Sequence, residues 1–244
     1  MKIKEVGIVG FGRFGKVLTN ILCEDFDVFV FSHHGVEISG KKHIQEASLD
    51  IAASREAVFL AVQMGKFERS LKECIPYIKP GSVIIDVCSV KLMPLKVLSD
   101  LLPEGVHMLL THPMFGPDSI GEGLKNLPLV LCPEKTSPEI VDYWREYFKS
   151  KGLRVIEMSA DEHDRTTAYS LCLTQFLGRI IDRMGVKSTA IDMQSFKNLL
   201  RMKEISCNDS FDLLKDLSKL NPYAKEMRER FKQETAELEQ LLEK

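Results

Sequence analysis

Six residues, Gly10-Phe11-Gly12-Arg13-Phe14-Gly15, constrain this chain most. They follow the apolar run Val6-Gly7-Ile8-Val9 directly and open a helical pattern at Val17, Leu18, Ile21 and Leu22. A strand that delivers a tight glycine turn to a helix N-terminus presents backbone N–H groups and the positive end of the helix dipole. Missing Cβ atoms let a pyrophosphate approach the backbone. The stretch predicts a dinucleotide site at Gly10, Phe11, Gly12, Arg13, Phe14 and Gly15.

Downstream, short β-branched and aromatic runs recur at 28–31, 57–62, 82–87 and 106–110, the last two bracketed by Lys79-Pro80-Gly81 and Pro103-Glu104-Gly105. Helical patterns lie between them at 67–78 and 92–102. Two further strands are expected at 127–132 and 154–157, around a helix over 138–150. This alternation predicts an α/β fold, a Rossmann-like doubly wound parallel sheet with its ligand crevice at the carboxyl ends of the strands. After Ser159 the pattern changes. Ser159 and Glu162 form a capping-box pair, and the following helix is apolar nearly all round from Ala168 to Met184, with Gly185 as its stop. No later segment reads as a strand. The expected organisation is a dinucleotide-binding domain over 1–158 and a smaller all-helical domain over 159–244 for substrate binding and dimerisation.

With 35 acidic and 33 basic side chains the formal net charge is -2, so neither a polybasic nucleic-acid surface nor an acidic tail is present. A small-molecule ligand is expected instead. The six cysteines are dispersed, without CxxC or zinc-ligand spacing, and read as reduced thiols of a cytoplasmic protein with no metal site. No signal-peptide core and no apolar run near the ~18–20 residues of a membrane span are apparent. The final segment places Tyr223, Met227, Phe231, Leu238, Leu241 and Leu242 on one helical stripe, which packing within its own domain or across a homodimer would cover equally well.

At the end of the second strand, an acid would bind the adenine ribose of NAD and repel the extra phosphate of NADP. The chain has Phe31-Ser32-His33-His34 there. Ser32 and His33, with Arg13 contributing charge, therefore favour NADP over NAD. Lys41 and Lys42 read as ordinary surface charge.

Two strand ends carry chemistry: Asp86-Val87-Cys88-Ser89-Val90-Lys91 and Thr111-His112-Pro113-Met114-Phe115-Gly116-Pro117. With Glu162-His163-Asp164-Arg165 after them, these segments resemble the prephenate/arogenate dehydrogenase family, and its plant-type arogenate dehydrogenases in particular. The likeness runs from the glycine loop through Asp209-Ser210-Phe211 to the terminal helix. It implies oxidative decarboxylation of a cyclohexadienyl acid, with hydride passing from the carbinol carbon to a nicotinamide. The residues suit that chemistry on their own account, because an imidazole has a pKa near working pH and can take the hydroxyl proton. His112 is the expected base, and Ser89 is placed to hydrogen-bond the same hydroxyl. His163, beside Asp161 and Asp164, reads as ion-paired. Lys91 reads equally as an anion ligand or as the start of a helix.

Many prephenate dehydrogenases of this family pair a substrate carboxylate with an arginine of the helical domain, whereas the corresponding stretch here is Cys207-Asn208-Asp209-Ser210-Phe211, without one. An acid before Ser-Phe is the plant-type pattern and is associated with arogenate, whose ammonium Asp209 could pair. Asp209 as a helix cap is the alternative. Gln175, buried on the central helix, is expected to contact substrate or to bond internally. The implied substrate is arogenate, with prephenate as the rival, and a non-catalytic NADP-binding regulator is the reading from another class.

Overall fold

The structure, a computed structural model, describes residues 3–37, 42–121 and 123–244. Lys41 lies outside the described residues. The chain divides into two compact units, Met1–Ala160 and Asp161–Lys244.

In the first unit the strands are β1 (Glu5–Val9), β2 (Asp27–Phe31), β3 (Ile44–Glu46), β4 (Ala57–Leu60), β5 (Val83–Asp86), β6 (His107–Pro113), β7 (Pro128–Cys132) and β8 (Arg154–Glu157). Its helices are α1 (Arg13–Leu22), α2 (Leu49–Ala53), α3 (Phe67–Cys74), α4 (Leu92–Leu101) and α5 (Pro138–Ser150). Among the described residues the strands form one sheet in the order β3-β2-β1-β4-β5-β6-β7-β8. Strand order reverses between β1 and β4, which places a switch-point crevice at their carboxyl ends.

The sheet departs from the expected all-parallel arrangement at one place: β7 runs antiparallel to β6, with His112 opposite Val130 and Pro113 opposite Leu129. Among the described residues of the connection over 114–127 there is no helix, and the chain turns back beside the strand it has just left. Helix α5 then supplies the crossover that returns β8 parallel to β7. The short edge strand β3 is an addition to the sequence reading. Its Gln45 and Glu46 are exposed, and pairing with β2 creates it where local pattern is weak.

The core sits where α1 and α5 cover β1, β2 and β4. Trp144 of α5 is fully buried and stacks edge-on against Phe59 of β4, with Phe26 and Phe148 tilted against the same ring. At the other face Gly7 lets α2 approach, since a Cβ there would come within 1.9 Å of the Ala52 carbonyl oxygen. The Cys74 thiol, also enclosed, is pushed up to about 12 by burial and is chemically quiet.

In the second unit the expected single long helix is interrupted. Helix α6 (Ala160–Thr167) runs into a π turn over Ala168–Cys172 before α7 (Leu173–Arg183), and Gly185, at φ +69, terminates it. Helices α8 (Gln194–Asn208), α9 (Phe211–Leu220) and α10 (Ala224–Leu242) complete the unit. Asn221 ties the entry of α10 to α6: its side-chain amide donates to the Asp164 carbonyl at 2.8 Å, and its Oδ1 accepts from the Tyr223 N–H at 2.9 Å. Along α10, Met227 is buried and Phe231 meets Phe176 at 5.8 Å, while Leu238, Leu241 and Leu242 are exposed.

Candidate active site

The glycine loop has the geometry that a pyrophosphate requires. Gly10 adopts φ +107, and a Cβ on it would strike the Ala61 carbonyl oxygen at 2.3 Å, so the tight turn off β1 admits glycine only. A Cβ on Gly15 would meet the Gly10 oxygen at 2.3 Å, which fixes how closely α1 packs on the turn. Gly12 differs from both. It is the N-cap of α1, no side chain caps that end, and open space lies where its Cβ would stand. The three glycines thus serve turning, packing and access in the way a dinucleotide cradle does, and the residues fit a nicotinamide dinucleotide.

Around the adenine side, β2 ends at Phe31, and Ser32 accepts a hydrogen bond from the His34 N–H. No carboxylate stands at that strand end itself, yet the two cationic candidates already face acids. Arg13 pairs with Asp118 at 2.5 Å, and His33 Nε2 lies 3.6 Å from Glu73. Phe14 meets Phe115 edge-on with ring centroids 6.2 Å apart. The glycine loop is therefore fastened to the segment that follows His112 by one ring contact and one ion pair.

His112 lies near the carboxyl end of β6, paired with Val130 of β7, and is 5% exposed. Ser89 occupies the bend between β5 and α4 and is partly exposed. Beneath both lies a network that the sequence did not disclose. Lys91 and Asp86 are each fully buried and form an ion pair. The Lys91 ammonium also donates to the carbonyl of Thr111, the residue before His112. Thr111 Oγ1 donates to the Asp86 carbonyl at 2.7 Å, and Asp86 Oδ1 accepts from the Cys88 N–H at 2.7 Å. Burial pushes the Asp86 carboxyl above its ordinary range, with Lys91 opposing that rise. Of the two sequence readings of Lys91, the start of a helix is what the fold shows, since Lys91 is the N-cap of α4. Its charge is spent on joining the Ser89 bend to the His112 strand.

The helical unit holds the other candidates. His163 is fully buried and its Nδ1 lies 2.8 Å from Asp164 Oδ1, which makes it part of the packing of α6. Gln175 on α7 is 4% exposed and its side-chain amide donates to Asp209 Oδ2 at 2.8 Å. The helix cap next to Asp209 is Ser210, whose hydroxyl accepts from the Leu213 N–H, so the capping role considered for Asp209 belongs to its neighbour. Close approach of α7 and α8 sets this geometry. At Gly178 a Cβ would fall 2.5 Å from Ser206 Cβ, and only glycine lets the α8 end settle against α7.

The model of the prephenate dehydrogenase nucleotide-binding domain matches residues 33–157, and a TYRAAT1-like C-terminal domain matches residues 180–244. The chain belongs to the prephenate/arogenate dehydrogenase family. It is 31% identical over 245 residues to arogenate dehydrogenase 1, chloroplastic, of Arabidopsis thaliana, covering 93% of this chain and 37% of that protein. Arogenate dehydrogenase 2, chloroplastic, from the same plant is 28% identical over 93% of this chain and 66% of its own length. The chain therefore spans between about a third and two thirds of these relatives. Among solved structures, prephenate dehydrogenase from A. aeolicus in complex with hydroxyphenyl propionate and NAD+ superposes with a TM-score of 0.75 at 18% identity, covering 99% of this chain and 91% of that one, and shares its fold. The model of the nucleotide-binding domain begins beyond the glycine loop.

Proposed function

We propose that this protein is an NADP-dependent arogenate dehydrogenase, which makes tyrosine by oxidative decarboxylation. The observation that carries this reading is the Gln175–Asp209 pair, a buried amide holding a carboxylate, in the Asp209-Ser210-Phe211 stretch whose acid the resemblance to plant-type enzymes associates with arogenate. A bound nicotinamide supplies the hydride acceptor. The chain's own residues do the rest. His112 takes the proton of the ring hydroxyl as hydride leaves the carbinol carbon, and Ser89 holds that oxygen in line. Breaking the bond to the ring carboxylate then releases carbon dioxide and returns an electron pair to the ring, which becomes aromatic as the phenol oxygen regains a proton. Asp209 meets the ammonium of arogenate, a partner that the keto group of prephenate lacks.

Initial rates with arogenate and prephenate, each with NADP and NAD, test the assignment, and failure to oxidise either acid removes it. Asp209→Asn is expected to shift the ratio of kcat/KM for arogenate over prephenate toward prephenate by about ten-fold or more, as expected for losing a charge-assisted contact of ~1–3 kcal/mol. An unchanged ratio would assign Asp209 to structure.

NADP is favoured by the absence of an acid at the end of β2, but its phosphate has to draw Arg13 away from Asp118. Asp118→Asn is therefore expected to raise the preference for NADP over NAD by about two- to five-fold, the scale of a partly exposed ion pair worth ~0.5–1 kcal/mol. The change should lie in KM for the dinucleotide, and equal effects on both cofactors would show that Arg13 does not read the phosphate. The cytoplasmic location and the homodimer belong to the same proposal. The second is supported by the exposed Leu238, Leu241 and Leu242 on α10. Among the described residues no helix is long and apolar enough to cross a membrane.

A further inference from the structure

Next to the glycine loop, a small charged cluster stands on the turn that follows β2. The Gly10 N–H donates to the Phe31 carbonyl at 2.8 Å, so the end of β2 abuts the loop. The turn itself is fixed, with the His34 N–H bonded to Ser32 Oγ and the Gly35 N–H to the Ser32 carbonyl. His33 stands on it with its ring edge-on to Phe31, centroids 5.0 Å apart, and its Nε2 lies 3.6 Å from Glu73 Oε2. Glu73 belongs to α3, and its other oxygen, Oε1, accepts from Arg69 Nε at 2.9 Å. Arg69 first, and His33 after it, hold the Glu73 carboxyl below the usual carboxylate range against the opposing effect of burial. An anion shared by an arginine and a histidine thus stands beside the turn where a dinucleotide seated on the glycine loop carries its adenosine.

We infer that Glu73, steadied by Arg69, governs how readily His33 is given up to the extra phosphate of NADP, and so tunes the choice between the two dinucleotides from a helix outside the β2 turn. An acid at the end of β2 would accept the ribose hydroxyls and repel that phosphate directly. Here the acid comes from α3 and acts at one remove, through the imidazole that the phosphate would engage. A phosphate that takes the His33 ring N–H withdraws one of the two partners of Glu73. Because Arg69 stays on the other oxygen, the carboxylate is not left uncompensated, and the exchange costs little at a site this exposed. Three roles follow. His33 touches the phosphate, Glu73 competes for His33, and Arg69 screens Glu73. The inference rests on the NADP reading in naming the phosphate, yet its sign can be measured whichever dinucleotide the protein prefers.

Calorimetric titration of the full chain with NADP and with NAD, in the absence of any acid substrate, tests this through the ratio of the two affinities. Glu73→Gln should move that ratio toward NADP by about two- to five-fold, the scale of one exposed ion pair. Arg69→Met should move it the opposite way by a similar factor, because an unscreened Glu73 holds His33 harder. The Arg69→Met effect should vanish when Glu73→Gln is also present, and the Glu73→Gln effect should vanish in a His33→Asn background. His33 and Arg69 are largely exposed, so the variants should fold, and unchanged melting transitions check that. An unchanged ratio in Glu73→Gln, or the same shift without His33, would overturn the inference. So would an Arg69→Met loss that persists in the double variant, because Arg69 would then be a direct phosphate ligand. A wild type that prefers NAD but shows the expected pattern loses the NADP reading and keeps the inference. One that prefers NADP and does not respond to Glu73→Gln does the reverse.

Discussion

His112→Asn is expected to lower kcat by about 10²–10⁴-fold, the usual contribution of a positioned general base, while dinucleotide affinity stays nearly unchanged. Asparagine keeps a polar group of similar reach but cannot carry the proton. The strand should survive the exchange, because position 112 is paired through its backbone with Val130 of β7. The loss should therefore appear in kcat and not in the melting transition. Without a positioned acceptor the hydroxyl proton has to pass to solvent, so the residual rate should climb with pH where the wild-type rate has levelled. Stopped-flow measurement of reduced-dinucleotide formation, with cofactor binding followed separately by fluorescence, distinguishes these effects. Near-normal single-turnover rates in both His112→Asn and His112→Ala would place the base elsewhere.

How much of this was legible in the sequence depends on how local each signal is. The glycine loop, the β1 and β4 runs and helix α5 are written in contiguous residues, and the structure returns 138–150 and 154–157 with the boundaries read from the pattern. The antiparallel turn of β7 was not legible, because a strand of Leu129, Val130 and Leu131 reads the same in either direction and only the helix-free connection decides. The π turn at Ala168–Cys172 was hidden for a related reason: an all-round apolar helix has no stripe whose phase could slip visibly. Asp209 and Ser210 are both good capping residues and stand side by side, so propensity could not rank them, whereas the Ser210–Leu213 bond does. Arg179, whose guanidinium donates to the Asp209 backbone carbonyl, was overlooked because a single arginine in a largely apolar helical run reads as a solvated charge. Its significance rests on what faces it from 30 residues away, and no periodicity encodes that.

Lys91 extends the same lesson and yields the largest expected loss of stability. Lys91→Met keeps the length and apolar stem of the side chain, so the space is filled, but the Asp86 charge and the Thr111 carbonyl lose their donor. Removing one partner of a buried ion pair typically costs about 3–5 kcal/mol, because the remaining charge has no water to turn to. The loss should depend on pH in a definite direction. Burial already raises the Asp86 carboxyl and Lys91 opposes that rise, so in the variant the folded-state value climbs further. A carboxyl raised on folding stabilises the native state at low pH and loses that contribution as pH rises through the folded value. The deficit of Lys91→Met should thus be greatest at neutral pH and narrow on acidification toward the ordinary carboxylate range. Adding Asp86→Asn removes the stranded charge, and the double variant should regain about 2 kcal/mol or more relative to the sum of the single losses. Urea unfolding of the wild type, both single variants and the double at two pH values closes this cycle, and additive losses would show that the two charges do not answer one another. Recovered stability should not bring recovered turnover, because the double variant still lacks the ammonium that joins the Ser89 bend to the carbonyl preceding His112. Stability and activity separate at this position because the pair's net worth to the fold is small while its hold on the strand end is specific.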